Sequence, residues 1–200
     1  MSEPSRASSS PAATRLVETV CSIIATEGLD AATVREVASA AGVSIGAVQH
    51  HFRTKDEMLV AAFRHVVETT EKRVAAVELG TEVRQNLSAI LRELLPLDDI
   101  RFQEAKVYVA FAARATTSPA LAVIQRSTLD HIGTQLAEAF RAAAKRSGAR
   151  TTAAAARREA ELLLAVTDGL TFDAVTRGVR PDAKRLGALL DTYLRRALGE

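Results

Sequence analysis

TVREVASAAGVSIGAVQHHF, residues 33–52, holds two short helical segments on either side of a tight corner, and each position in it has a readable task. Gly42 stands where the first segment must stop and the chain reverse, through the left-handed region that only glycine enters without steric cost. Ala38 and Ala41 are small where the second helix has to approach closely. Val37, Val43 and Val48 fall at spacings that put them inside the corner as its apolar core. Ser44 precedes the second helix as its cap, with a hydroxyl able to accept a backbone N–H. Glycine, small residues, apolar corner and cap together fit a helix-turn-helix of the kind whose second helix enters the major groove of duplex DNA, and a turn between two short helices that touch no ligand is the other reading.

Such a helix reads base edges through the residues near its N-terminus, here Ile45, Gly46, Ala47, Gln49 and His50. Gly46 and Ala47 allow the backbone to come close to DNA, Ile45 and Ala47 suit thymine methyl groups, and Gln49 matches the N6 and N7 edge of adenine. Phosphate anchoring falls to Thr33, Ser44, His51 and Lys55, with Arg35 in reach of a phosphate or a base. Arg35, Arg53 and Lys55 face a single carboxylate, Glu36, between positions 33 and 55, a modest local basic surface. The neighbouring His50 and His51 point about 100° apart on a helix and no cysteine or carboxylate cluster joins them, so no metal is expected.

The whole chain has 200 residues, with 26 Lys and Arg against 24 Asp and Glu, and the resulting charge of +2 does not by itself point to nucleic acid. One cysteine, Cys21, excludes an internal disulfide and sits among Val17, Val20 and Ile24, where packing is its expected role. Neither a leader nor a long apolar span is visible, so a cytoplasmic location is expected. Residues 1–12, MSEPSRASSSPA, read as a disordered tail in which Arg6 is solvated.

Residues 14–65 resemble the DNA-binding domain of the TetR family of transcriptional regulators. Gly28, Leu29, Ala32, Thr33 and Val34 match the family's link after its first helix, and Gly42, Val43, Ser44, Gly46, Val48, His51, Phe52 and Lys55 match the pattern after the turn. Gln49 departs from it, standing where the family most often has tyrosine. The resemblance implies a homodimer on an inverted-repeat operator, most often a repressor, released by a small effector.

Helical signals run throughout and nothing needs a sheet, giving an all-α fold of about nine helices. The expected division is a tail over 1–12, a reading head over 13–56, and a helical effector-binding and dimerisation domain over 57–200. Helices are expected over 14–27, 55–79, 81–95 and 100–115, from Ser118 and Pro119 to Gly148, from 150–152 to Gly178, and from Pro181 onward.

Residues 106–121 resemble the C-terminal domains of the BetI-like TetR subgroup, with Tyr108 and Phe111 at aromatic positions, and Asp168, Gly169 and Leu170 form a second echo. Glu104, Tyr108 and Phe111 share a helix face, an aromatic wall with one carboxylate that suits a hydrophobic ligand carrying a positive group. The same residues are equally readable as core with Glu104 solvated at its rim. Phe140, Asp168 and Phe172 are further effector candidates, with Leu129 and His131 behind them. Leu162, Leu163, Val166, Gly169 and Leu170 make an apolar face wide for a lone surface helix, and Leu186, Leu189, Leu190, Tyr193, Leu194 and Leu198 a stripe on the last helix. The family pairs its last two helices with their twofold mates, and intramolecular core is the other reading of these faces. The basic run of Arg141, Lys145, Arg146, Arg150, Arg157 and Arg158 reads as a solvated patch. No phosphate loop, nucleophile elbow or His and Cys metal spacing supports an enzyme or a cofactor. The alternative function is a helical ligand-binding module that reads no specific DNA sequence.

Overall fold

The computed structural model describes residues 11–146, 150–179 and 182–198, and these form nine α-helices with no strand. In chain order they are α1 Pro11–Glu27, α2 Val34–Ala41, α3 Ile45–His51, α4 Lys55–Ala75, α5 Val83–Arg92, α6 Asp99–Ala115, α7 Pro119–Arg146, α8 Ala153–Thr176 and α9 Ala183–Leu198.

Most starts are set by one side chain. Thr33, Ser44, Thr54, Asp98 and Thr152 cap α2, α3, α4, α6 and α8, accepting the backbone N–H groups of Glu36, Ala47, Glu57, Arg101 and Ala155 at 2.8 to 3.2 Å. Glu57 also accepts the Arg53 N–H at 2.7 Å, so the entry to α4 is held from both sides. Gly42 closes α2 at φ 66°, ψ 34°, the left-handed conformation its position requires.

Several boundaries differ from expectation. Pro11 and Ala12 belong to the first turn of α1, where proline's missing N–H is harmless, whereas residues 1–10 with Arg6 lie outside the described residues. The fourth helix ends at Ala75 instead of reaching position 79. Leu79 is exposed, so another turn would bury little, and Asn86 ties the loop by bonding the N–H and C=O of Gly80 at 2.8 and 2.9 Å. Gly148 and Pro181, expected as stop and start signals, lie outside the described residues. Val43 is 41 % exposed and does not join the corner's core. The glycine turn bonds its N–H back to the Ala38 carbonyl at 3.0 Å, and the side chain leaves toward solvent.

Two apolar clusters hold the helices. The first gathers Leu16, Val20, Val37, Val48, Phe52 and Phe63 from α1 to α4 and the residues after α3, and it continues into Val107 and Phe111 of α6 and Leu121 of α7. Packing therefore crosses position 56 without a break. Phe63 and Phe111 stack with centroids 3.9 Å apart and planes 11° from parallel. The second cluster joins Leu87, Leu91, Phe140, Leu163, Leu190 and Leu194 from α5, α7, α8 and α9.

Candidate functional site

Helix α3 stands on its core by Val48 alone and turns the rest of its surface outward. Ile45, Gly46, Ala47, Gln49, His50 and His51 are exposed, and Thr33, Arg35 and Ser44 are exposed beside them. The geometry is that of a short helix whose first turn, capped by Ser44, is exposed. The rings of His50 and His51 meet edge to face at 5.3 Å, and no group of His, Cys, Asp and Glu among the described residues is arranged to hold a metal ion. Lys55 is half-buried and already engaged: its Nζ donates to the Asp30 carbonyl at 3.1 Å and lies 3.2 Å from Asp30 Oδ1. A phosphate at Lys55 has to share that ammonium with Asp30, which is fully exposed.

A cavity of about 520 Å³ lies among α4 to α8. Its wall includes Glu104, Tyr108 and Asp168, together with Leu129 and His131. Phe111, Phe140 and Phe172 are elsewhere. Phe111 is fully buried against Phe63 in the first cluster, Phe140 is buried in the second, and Phe172 is 59 % exposed on the outer side of α8. Helices α4 and α5 and the residues just after α5 supply much of the wall through positions that sequence reasoning did not assign to it, among them Val67, Thr70, Val74, Ile90 and Leu94. The apolar run along α4 was the available signal, but whether such a run faces core or cavity depends on what packs opposite.

Electrostatics separate the two candidate carboxylates. Glu104 is held bidentately by Arg73, at 2.9 and 2.6 Å, and a hydrogen bond to Glu104 is the largest influence raising the Arg73 pKa. Arg73 also reaches Glu93 at 3.1 Å, Glu93 pairs with Arg101 at 3.1 Å, and Arg101 pairs with Asp98 at 2.8 Å. Asp168 has no ion-pair partner among the described residues. It accepts the Tyr108 hydroxyl at 3.0 Å, and Gln125 Nε2 donates to Tyr108 at 3.3 Å. Burial pushes the Asp168 carboxyl above its ordinary value, opposed only by the Tyr108 hydrogen bond. Burial, and then the charge of Asp168, raises the Tyr108 hydroxyl as well. Cys21 is half-buried against α4, its Sγ 3.8 Å from the Ala62 carbonyl, and that desolvation lifts its thiol to about 12. A thiol held so far from ionisation is packing.

The outer face of α8 and α9 is divided. Leu162 is 53 % exposed, Phe172 and Leu189 are exposed with it, and a Cβ on Gly169 would meet nothing within 4 Å. Val166, Leu170 and Tyr193 are half-buried. Leu186 and Leu190, expected on an intermolecular stripe, are buried inside the chain, with Leu190 part of the second cluster. The reason is that α9 spends its apolar face on α5 and α8.

Residues 16–62 match the family model for bacterial regulatory proteins of the tetR family, and residues 83–199 match that for the BetI-type transcriptional repressor C-terminal domain. The chain belongs to the TetR family. It is a ligand-responsive DNA-binding transcriptional regulator and no enzyme. The HTH-type transcriptional regulator BetI of Paraburkholderia phymatum is 29% identical over 185 residues, covering 90% of this chain and 89% of the relative. A transcriptional regulator from Rhodococcus sp. Rha1 superposes with a TM-score of 0.83 at 42% identity, covering 95% of this chain and 97% of that one. A regulator from Saccharomonospora viridis, solved in complex with choline, shares the fold with a TM-score of 0.80 at 22% identity over 91% of this chain and 94% of that one. For this TetR-family member the exposed helix α3 lies within the matched tetR-family segment, residues 16–62. No helix among the described residues is long and apolar enough to cross a membrane.

Proposed function

We propose that this chain acts in the cytoplasm as a homodimeric repressor that binds an inverted-repeat operator and is released when a small hydrophobic effector fills the α4 to α8 cavity. The observation that carries the reading is the path between the two sites. Helix α4 forms part of the cavity wall from Val66 to Ala75, and its earlier residues, Met58 to Phe63, pack into the cluster that holds α3. A ligand that favours one placement of α4 therefore changes the spacing of two reading heads, by as much as its affinities for the two placements differ. The choline held by the S. viridis relative supports small-molecule binding by this fold. Glu104, Tyr108 and Asp168 are the effector-facing residues of the proposal.

On DNA, Gln49 with Ile45, Gly46, Ala47 and His50 reads bases, while Thr33, Arg35, Ser44, His51 and Lys55 fix position on the phosphates. Dimerisation uses the exposed parts of α8 and α9, with Leu162, Gly169 and Leu189 central and Val166, Leu170 and Tyr193 at their margin. Selection of bound duplexes from random DNA at two salt concentrations tests the reading. An enriched inverted repeat, with affinity falling as salt rises, is expected. Recovery of unenriched DNA would favour a binding module without sequence-specific recognition.

A further inference from the structure

The charges on the cavity wall narrow the chemistry of the ligand. Glu71, Glu93, Arg101 and Glu104 line the space along with Asp168 and the titratable His131 and Tyr108. Glu93, Arg101 and Glu104 are consumed by one another, by Arg73 and by Asp98. Glu71 is exposed on α4, and the exposed His131 ring is 3.1 Å from Gln135 Nε2. Asp168 is what remains: a largely buried carboxylate whose one partner is a neutral hydroxyl. A charge withdrawn from water without a countercharge is costly, and a cation brought by a ligand removes that cost.

The rest of the wall is apolar and long. From Val66 to Ala75 the α4 wall spans nine residue rises, about 14 Å. The Asp168 end is fixed by Tyr108, whose ring is 6.3 Å from Phe63, a residue just ahead of the wall on α4. Ile90 of α5 and Leu94, just after that helix, line the wall beside Glu93, which Arg73 reaches from the last turn of α4 at the other end.

We propose that the cavity takes an amphiphilic organic monocation, its positive group against Asp168 and its apolar body extending along α4 toward Ile90 and Leu94. This rests on the cavity being the effector site. A dication lacks a second carboxylate that is both withdrawn from water and without a countercharge, because Glu71 is exposed and Arg73 holds Glu104 by both oxygens. An anion meets Asp168 with nothing to offset it.

Isothermal titration of the full chain with alkyltrimethylammonium ions, from methyl to octyl, tests the assignment. Affinity should tighten roughly threefold to fourfold per added methylene as the tail buries. Octyldimethylamine N-oxide, with the same body and no net charge, should bind at least tenfold more weakly, and octyl sulfate should not bind. Asp168→Asn should abolish the preference for the cation over the N-oxide yet keep the dependence on chain length, whereas Glu104→Gln should keep the preference. Equal binding of cation and N-oxide by the unaltered chain would overturn the charge assignment and leave the cavity reading standing. Loss of chain-length dependence would overturn the apolar body, and failure of every cation to bind would overturn the whole inference. Ile132→Trp and Val74→Trp, at half-buried wall positions and checked for helicity, fill the cavity. Undiminished octyltrimethylammonium binding in a folded filled variant would place the ligand elsewhere and overturn the cavity reading itself.

Discussion

The two apolar clusters of this molecule are built to different ends. The one around the reading head is closed, with Val37 and Val48 wholly buried beneath α2 and α3, and with Phe63 stacked flat on Phe111. Its polar groups are satisfied close to home, by caps three residues away. Between it and the second cluster the helices leave about 520 Å³ unfilled and keep a half-buried carboxylate without a cation. Close packing makes the head a rigid shape that can present α3 to DNA, whereas incomplete packing leaves the body able to gain stability from a ligand. Rigidity suits reading and an unfilled cavity suits sensing.

That contrast breaks first at Phe63, where the closed cluster borders the open one. Phe63→Ala removes both the stack on Phe111 and the contact with Tyr108, and a loss of about 3–5 kcal/mol is expected from urea unfolding. A loss well under that range would mean the head's core is less tightly packed than described. Next comes the reading surface. Gln49→Ala should weaken the preferred operator by about 1–3 kcal/mol and leave random DNA unaffected, whereas Lys55→Ala should weaken every sequence alike. Fluorescence anisotropy on specific and random duplexes separates them, and equal losses for Gln49→Ala on both would remove it from the base-reading set.

Two glycines sharpen the comparison at smaller amplitude. Gly42→Ala places a Cβ at φ 66° and should cost roughly 1–2 kcal/mol, although no neighbouring atom is struck. Gly169→Ala, in open space on α8, should stabilise the isolated fold by about 1 kcal/mol through helix propensity. If a second copy packs there, sedimentation should show weaker dimers from the same substitution. Unchanged dimerisation would exclude a close backbone approach at Gly169.

The smallest effect is in pH dependence. Because burial raises Asp168 in the folded chain, the fold binds that proton more tightly than the unfolded chain does. The ligand-free protein should therefore gain stability as pH falls through the raised value, with the gain complete at the ordinary carboxylate value. Asp191 behaves in the opposite sense: burial is outweighed by Ser88 and Arg92, its pKa is lowered, and its contribution is lost on acidification. Thermal unfolding of Asp168→Asn against the parent across this range should remove only the first component. An identical pH profile would show that Asp168 is better solvated than its place on the wall implies.

The corner at Gly42, the cap at Ser44 and the outward face of α3 were all legible in the sequence, because each depends on atoms within about four residues. Val43 was misplaced because its direction follows from the exact exit of the chain from a left-handed turn. Leu186 and Leu190 show the limit of periodicity, which marks an apolar face without saying whether its partner is the same chain or another. Glu104 and Asp168 show it more sharply. In sequence they are two acids on apolar helices. Which of them is free is decided by Arg73, 31 residues before Glu104, and by Tyr108, 60 residues before Asp168. Nine helices, their caps and the reading corner were thus determined by local hydrogen bonding and hydrophobic period. The cavity, the half-buried Asp168 without a counterion and the division of α9 between core and surface were decided by tertiary structure, because each depends on contacts between residues far apart in the chain.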